Sequence, residues 1–234
     1  MISGPLADAR HSVSFTGAGL SAPSGVQTFR DPVDGWWAQF DPMHLASPEG
    51  FAEDPDLVMR WYAMRREQIA DAQPNAAHVA LASRTDMVHI TQNTDNLLER
   101  AGATNVLHLH GHIDRDRCHG ACGWSSSIDL ATPPPLRQCP GCGGHHARPG
   151  VVWFGETLPE TVWAKAVAAV EACDALLVVG TSAVVHPAAG LITLARRHGA
   201  HVTVVNLDAS AADTHAHDVH IGSADDVVPG LLCM

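Results

Sequence analysis

Four cysteines form the most distinctive chemical cluster in this sequence: Cys118, Cys122, Cys139 and Cys142. Three residues separate the members of the first pair, two separate those of the second, and 16 lie between the pairs. Four thiolates suit tetrahedral zinc, and closed four-ligand sites of this kind are structural. Two alternatives remain open, four buried thiols or a catalytic zinc with His119 or His145 as a ligand. The spacing favours one structural zinc ion.

The stretch that contains these cysteines, 112–148, has too few apolar residues to bury a face of its own. It also holds three consecutive prolines at 133–135 and several glycines. Zinc binding contributes about 10–16 kcal/mol to the folding of small zinc domains, which is enough to order such a segment. We therefore expect a zinc ribbon over 112–148.

A second cluster consists of small residues that follow a candidate strand at 12–16. Gly17, Gly19 and Ala22 fit the pattern G-x-G-x-x-A, in which small residues let the backbone approach a pyrophosphate at a helix N-terminus. The acidic residue that usually follows about 20 residues later is missing, because Asp31 lies too near. The pattern alone therefore leaves a plain tight turn open.

Three histidines alternate along the chain at His108, His110 and His112. An imidazole with a pKa near neutrality is suited to take a proton from a hydroxyl group. A solvated stripe of histidines and a metal site are the alternatives, and both are weakened because Gly111 interrupts the strand. The remaining histidines, including His215, carry no motif and are expected at the surface.

The elements that must position these residues follow an alternating pattern. Short β-branched or apolar runs at 12–16, 87–91, 175–179 and 201–205 predict strands, and 161–172 and 188–198 predict helices. Alternation of this kind indicates an α/β fold with a parallel sheet covered by helices. Since polar residues follow four of these strands, we expect a ligand at the carboxyl ends of the sheet.

The composition bounds the function. The chain has 234 residues, 46% hydrophobic and 17% charged, with a net charge of −11, which is typical of a globular domain. There is no run of Lys or Arg, so we expect no nucleic-acid partner. No apolar segment approaches 18 residues, so we expect no membrane partner. Six cysteines without a signal-peptide layout predict a cytoplasmic protein whose thiols bind metal or stay buried.

The segment 17–30 is more specific than its glycines alone, and it resembles the opening of the sirtuins, the NAD-dependent protein deacylases. Further segments agree in order, at 91–95, 109–111, 152–156, 180–182, 206–208 and 222–224. The four cysteines stand in the expected place between His110 and Val152. The resemblance spans nearly the whole chain, from Val13 to about Leu231.

The resemblance implies a role for individual residues. His110 matches the family's general base, and Asn93 and Asp95 match residues around the nicotinamide ribose and carboxamide. The positions that it assigns to NAD binding are Gly17, Ala18, Gly19, Ala22, Phe29, Arg30, Gln92, Asn93, Asp95, Gly180, Thr181, Ser182, Asn206, Leu207, Asp208 and Ala224. Two departures are visible, because Gln27 replaces a frequent proline and His108 stands where an acidic residue is frequent.

The resemblance also implies a substrate site for acyl-lysine in proteins or peptides. Val152, Phe154 and Gly155 match the segment to which an extended substrate peptide adds as a strand, and an ordinary edge strand is the alternative. Tyr62 and Arg65, three residues apart on a predicted helix, match the pair that marks the bacterial deacetylase and desuccinylase type. A guanidinium can bind an acyl carboxylate bidentately while the phenol donates a further hydrogen bond. The alternative is a packed tyrosine beside a solvated arginine.

The expected architecture is a Rossmann-like part at 1–31, 74–111 and 149–234, a helical insert at 32–73, and the zinc ribbon at 112–148. The implied activity is NAD-dependent removal of acetyl and also succinyl or malonyl groups from lysine. It consumes NAD and releases nicotinamide and O-acyl-ADP-ribose, the acyl group being transferred to ADP-ribose. Two alternatives remain, an NAD-dependent protein ADP-ribosyltransferase and an NAD-sensing module without turnover.

Overall fold

The computed structural model describes residues 4–27 and 39–232. The contacts divide the chain into two compact units. The first unit holds the described residues of 1–28, with Gln73–Leu109 and the described residues of 159–234. The second unit holds the described residues of 29–72 with His110–Leu158. Residues 149–158, which we assigned to the Rossmann-like part, fall in the second unit because the strand at their start pairs there.

A six-stranded parallel sheet forms the centre of the first unit, in the order β3-β2-β1-β7-β8-β9. Its strands, numbered in chain order, are β1 Ser12–Thr16, β2 Val88–Thr91, β3 Val106–His108, β7 Ala175–Val179, β8 His201–Asn206 and β9 Asp218–Ile221. The predicted parallel sheet is confirmed. β1 and β7 have the predicted bounds, β2 begins one residue later, and β8 ends one residue later.

Burial on both faces explains why the central strands are continuous apolar runs. All five residues of β7 are buried, and Phe15 of β1 lies between Ile90 and Val178 in the sheet register. The helices of this unit are α1 Pro5–Asp8, α5 Ala76–Ser83, α6 Leu97–Arg100, α7 Glu160–Ala172, α8 Gly190–Arg197 and α9 Ala224–Leu232. None of the helices in the described ranges combines the length and apolar character that a membrane span requires.

The second unit is built on a three-stranded antiparallel sheet in the order β5-β4-β6. Its strands are β4 Gly111–Cys118, β5 Ser125–Ser127 and β6 Ala147–Val151, and its helices are α2 Pro42–Leu45, α3 Pro48–Glu53 and α4 Pro55–Asp71. Pro55 begins α4 and the Asp54 carboxylate accepts a hydrogen bond from the Leu57 N–H, which is a typical helix start.

A buried ion pair ties α4 to β4 within this unit. The Arg66 side chain donates to Asp116 Oδ1 at 2.7 Å and to the Ile113 carbonyl at 2.9 Å, and both charged side chains are fully buried. Arg137 donates to the other carboxylate oxygen of Asp116 at 3.1 Å. Arg66 is therefore the charged anchor that holds α4 against β4.

Replacing Asp116 with asparagine is expected to destabilise the protein by about 3–5 kcal/mol, because one partner of a buried pair is lost and the guanidinium stays buried. Urea unfolding measures the change. Asp129→Asn is the matched control, since that carboxylate is exposed and accepts hydrogen bonds from Ala131 and Thr132 within its own turn. Equal unfolding midpoints for the two variants would show that the pair does not hold α4.

Candidate active site

The loops that follow β1 and β7 touch through their backbones, and three glycines make this possible. The Gly17 N–H donates to the Val179 carbonyl and the Gly19 N–H to the Gly180 carbonyl, both at 2.9 Å. A Cβ atom on Gly19 would lie 2.6 Å from Gly180 Cα, and Gly180 has a φ of 62°. Side chains at these positions would force the two loops apart.

The glycine-rich segment does not continue into the α-helix that its pattern led us to expect. Residues Ala18–Leu20 and Ala22–Ser24 form two short 3-10 turns. Gly25, with a φ of 83°, ends the second turn in the left-handed conformation. The dinucleotide pattern is therefore built here as a compact pair of turns against the end of β7.

Asn93 is fixed by four hydrogen bonds at the end of β2. Its side-chain Nδ2 donates to the Gly17 carbonyl at 3.0 Å and to Ser21 Oγ at 3.2 Å. Its backbone N–H donates to Thr91 Oγ1 at 3.0 Å, and its carbonyl accepts from His108 Nδ1 at 2.9 Å. The amide group is thus held against the glycine-rich loop before any ligand binds.

Asp95 lies beside Asn93 in a chain of polar groups. Ser21 Oγ donates to Asp95 Oδ2 at 3.0 Å, and His78 Nε2 lies 3.4 Å from Ser21 Oγ. Because the Asn75 N–H donates to His78 Nδ1, the neutral ring carries its proton on Nε2 and donates to Ser21. Burial lowers the pKa of His78 to about 4, so the ring stays neutral, and burial raises the pKa of Asp95.

A second set of hydrogen-bonded polar residues joins the ends of β2, β7 and β8. Gln92 Nε2 donates to Thr181 Oγ1 at 2.9 Å, and Asn206 Nδ2 donates to the Thr181 carbonyl at 3.0 Å. Asn206 also accepts from the Gly222 N–H through its carbonyl at 2.9 Å. The structure therefore brings the residues predicted from four separate motifs to one edge of the sheet, as parallel strands require.

The other residues assigned to NAD binding differ in how exposed they are to solvent. Ser182 is half-buried, Leu207 and Asp208 are exposed directly after β8, and Ala224 is buried at the start of α9. Phe29 and Arg30 lie outside the described residues. Their assigned roles stay predictions.

His110 belongs to the second unit, at the turn that precedes β4. Its carbonyl accepts from the Val152 N–H at 2.8 Å, and its side chain is half-buried. β3 ends at His108 and β4 begins at Gly111, which has a φ of 74°. The three alternating histidines therefore do not form a stripe on one strand, and that alternative is wrong.

Tyr62 is buried on α4 and accepts a hydrogen bond from the indole Nε1–H of Trp153 at 2.9 Å. Burial raises the pKa of Tyr62, so the phenol keeps its proton. Arg65 is half-buried, with its guanidinium 5.3 Å from the centre of the Trp61 ring. The alternative of a packed tyrosine describes Tyr62 correctly, although Arg65 is not fully solvated.

Glu156 organises the turn that follows β6. Its carboxylate accepts hydrogen bonds from Arg117 at 2.9 Å, from Arg148, and from the Trp153 N–H at 2.9 Å.

Phe154 and Gly155 lie at the tip of this turn. Phe154 is exposed, and Gly155 has a φ of 86°. The segment is therefore a turn and not the edge strand that we considered, although the half-buried Val152 directly follows β6.

The four predicted zinc ligands lie together in the second unit. All four sulfur atoms are within 4.8 Å of one another, with Cys118 and Cys142 3.8 Å apart and Cys122 and Cys139 3.7 Å apart. Tetrahedral zinc with bonds of about 2.3 Å requires sulfur atoms about 3.8 Å apart. The cluster therefore fits one zinc ion, and the distances exclude a disulfide, whose sulfur atoms are about 2 Å apart.

Sequence reasoning missed Ser21, His78 and Glu156 as organising residues. Ser21 and Glu156 lay inside motifs that had been noted, but nothing in a single sequence separates a hydrogen-bonding serine from a solvated one. His78 follows Asn75 by three residues, and this spacing of a capping box is the one signal that could have drawn attention to it.

The comparisons with known proteins agree with this geometry. The model of the Sir2 family matches residues 17–187. NAD-dependent protein deacylase 1 of Pseudomonas aeruginosa is 47% identical over 97% of this chain and 95% of its own length. A solved Sir2 homologue in complex with NAD has a TM-score of 0.91 at 44% identity, covering 97% of this chain and 90% of that one. A Sir2 structure bound to a propionylated peptide has a TM-score of 0.83 at 28% identity, covering 97% and 94%.

Two features define this protein as a nucleotide-binding domain. They are the parallel α/β sheet with polar loops at its carboxyl ends and the separate four-cysteine module. The matched family model and the close relatives identify it further: this chain belongs to the Sir2 family.

Proposed function

We propose that this protein is an NAD-dependent protein-lysine deacylase. The observation that carries the proposal is the fixed arrangement of Asn93 and Asp95 against the glycine-rich loop at Gly17. Curated relatives that are 44–48% identical over most of the chain are named NAD-dependent protein deacylases, which supports the same activity.

NAD bound at the carboxyl ends of the sheet supplies a ribose carbon that the acyl oxygen attacks as nicotinamide leaves. Asp95 accepts from the carboxamide N–H in this proposal, and Asn93 orients the ribose. His110 takes a proton from a ribose hydroxyl, a general-base step for which an imidazole is the most frequent side chain. The remaining loop residues hold the two phosphates and the adenosine.

The four cysteines bind zinc in a structural role in this proposal. Each of them is a ligand, so the ion has no open position for water or substrate. We also propose that the substrate is an acylated lysine in a protein or peptide, which is consistent with the propionylated peptide in the solved relative. The cytoplasmic location stays a prediction, and it depends on the four thiols remaining reduced for zinc binding.

Mass spectrometry of the products tests the activity. Incubation with NAD and an acetyl-lysine peptide is expected to give O-acetyl-ADP-ribose and free lysine peptide. ADP-ribosylated protein would instead favour the transferase alternative, and unchanged NAD would favour a binding module. The transferase has no observation of its own in its favour.

Acyl selectivity gives a further prediction, based on Tyr62 and Arg65. Arg65→Met is expected to raise the KM for a succinyl-lysine peptide about 10- to 100-fold, because a charge-assisted hydrogen bond is worth roughly 1.5–3 kcal/mol. Removal of the smaller acetyl group should be nearly unaffected. Arg60→Met, at an exposed position of the same helix, is the matched control. Equal losses for both acyl groups would make Arg65 structural, and a wild type that ignores succinyl-lysine would refute the acidic pocket.

A further inference from the structure

His108 is buried at the end of β3, with only 4% of its surface exposed. Its Nδ1 atom lies 2.9 Å from the carbonyl oxygen of Asn93, and its Nε2 atom lies 2.7 Å from Glu99 Oε1 on α6. Both partners are oxygen atoms that can only accept a hydrogen bond, the second because it belongs to a carboxylate.

A neutral imidazole has one N–H group and one bare nitrogen. Either neutral tautomer of His108 would therefore direct a lone pair at an oxygen atom, towards Asn93 in one case and towards Glu99 in the other. The imidazolium form donates from both nitrogens and satisfies both partners. The geometry consequently selects the protonated ring.

We propose that His108 is a cationic positioning residue, which holds the Asn93 carbonyl and thereby fixes the 93–95 loop for NAD binding. The bond to the backbone leaves the Asn93 side chain free to meet Gly17 and Ser21. The proposal rests on the proposed function in one respect, that the ligand of this loop is NAD. The protonation of His108 is a property of the protein alone.

The charged groups around His108 agree with this assignment. Desolvation lowers the pKa of His108, but the hydrogen bond and charge of Glu99, the Asn93 carbonyl and the charge of Asp95 together raise it above its ordinary value. His89 on β2 also feels the charge of Glu99, but burial lowers its pKa to about 4. His89 therefore stays neutral and adds no positive charge beside His108.

The sign of the pH dependence follows. Because the folded-state pKa of His108 is raised, its stabilising contribution is fully present below the ordinary pKa of about 6.5 and is lost as the pH rises through the folded-state pKa. The 93–95 loop should therefore loosen on the alkaline side. Glu99→Gln should remove this dependence, because neutral His108 can then donate to Asn93 and accept from the glutamine amide.

Nitrogen NMR of the histidine rings in the NAD-free protein tests the protonation directly. At pH 7.5 an unperturbed imidazole is about nine-tenths neutral. We expect two protonated ring nitrogens for His108 in the wild type, and one protonated and one bare nitrogen in Glu99→Gln. The His108 signals are assigned from their absence in His108→Asn. A neutral wild-type ring at pH 7.5 would overturn the proposal, whatever the enzymatic activity.

The effect on NAD is measured by the KM for NAD across pH. The wild-type KM is expected to rise on the alkaline side and that of Glu99→Gln to stay level. His108→Gln, whose amide reaches towards Glu99, should raise the KM for NAD about 10-fold, whereas His108→Asn keeps a donor near Asn93 and should recover most of the loss. The control is Asp218→Asn, which breaks the exposed His201–Asp218 pair at the amino end of β9.

Two results of these measurements would contradict the proposal. Identical pH profiles for the wild type and Glu99→Gln would show that the His108 proton does not act on the loop. Equal losses of stability and activity in both His108 variants would show that His108 is only a packing residue. If the wild type released no nicotinamide from NAD and acyl peptide, the proposed function would be contradicted instead. The NMR result on His108 would still stand.

Discussion

Replacing His110 with alanine is expected to lower the rate of deacylation roughly 10²–10⁴-fold, while NAD still binds. General-base catalysis by one side chain contributes an effect of this size. Binding should persist because other side chains build the network around Asn93 and Asp95, chiefly Ser21 and His108. Single-turnover kinetics measure the chemical step, and calorimetry measures the affinity for NAD.

His112→Ala is the matched control for this prediction, since His112 lies two residues away at the start of β4 and is half-buried like His110. It should keep nearly full turnover. If His110→Ala turned over near the wild-type rate, His110 would not be the base. If both variants lost activity together, the effect would come from the strand and not from one imidazole.

Replacing Cys139 with serine is expected to unfold or aggregate the second unit, not to change acyl preference. The cysteine module has little apolar core, since Cys139 is the one buried residue in the described stretch 119–146. Zinc binding of about 10–16 kcal/mol is therefore the main source of order there, and three ligands retain only part of it. Thermal unfolding and metal content per chain measure the result.

Cys173→Ser is the matched control, because Cys173 is a buried thiol of the first unit whose Sγ donates to the Val170 carbonyl, away from the four-cysteine cluster. It should keep one zinc ion per chain and lose little stability. Removing zinc with a chelator should reproduce the behaviour of Cys139→Ser. A metal-free wild type with unchanged melting temperature and activity would refute the structural role of zinc.

The sequence was sufficient to predict the fold class and most of the residues that the sheet brings together. Strands such as β7 are visible because they are buried on both faces and therefore read as continuous apolar runs. The polar residues that follow them, including Gln92 and Thr181, could be placed at one edge because parallel strands end on the same side. The cysteine cluster was predictable from spacing alone.

The residues that support the site were not predictable in the same way. Ser21 bonds Asp95 across 74 positions of the chain, and Arg66 bonds Asp116 across 50. Contacts of this kind depend on tertiary packing, which has no local periodicity. His108 was noted in the sequence as one of three alternating histidines and as a departure from the family pattern, but its contact with Glu99 became visible only in the structure.

The coupling of NAD cleavage to deacylation is measured by the ratio of nicotinamide released to lysine peptide deacylated, followed over one time course with NAD and an acetyl-lysine peptide. We predict a ratio of one, with no nicotinamide release when the acyl peptide is omitted. Nicotinamide release that does not depend on the acyl peptide, or deacylation without NAD, would contradict the proposed function.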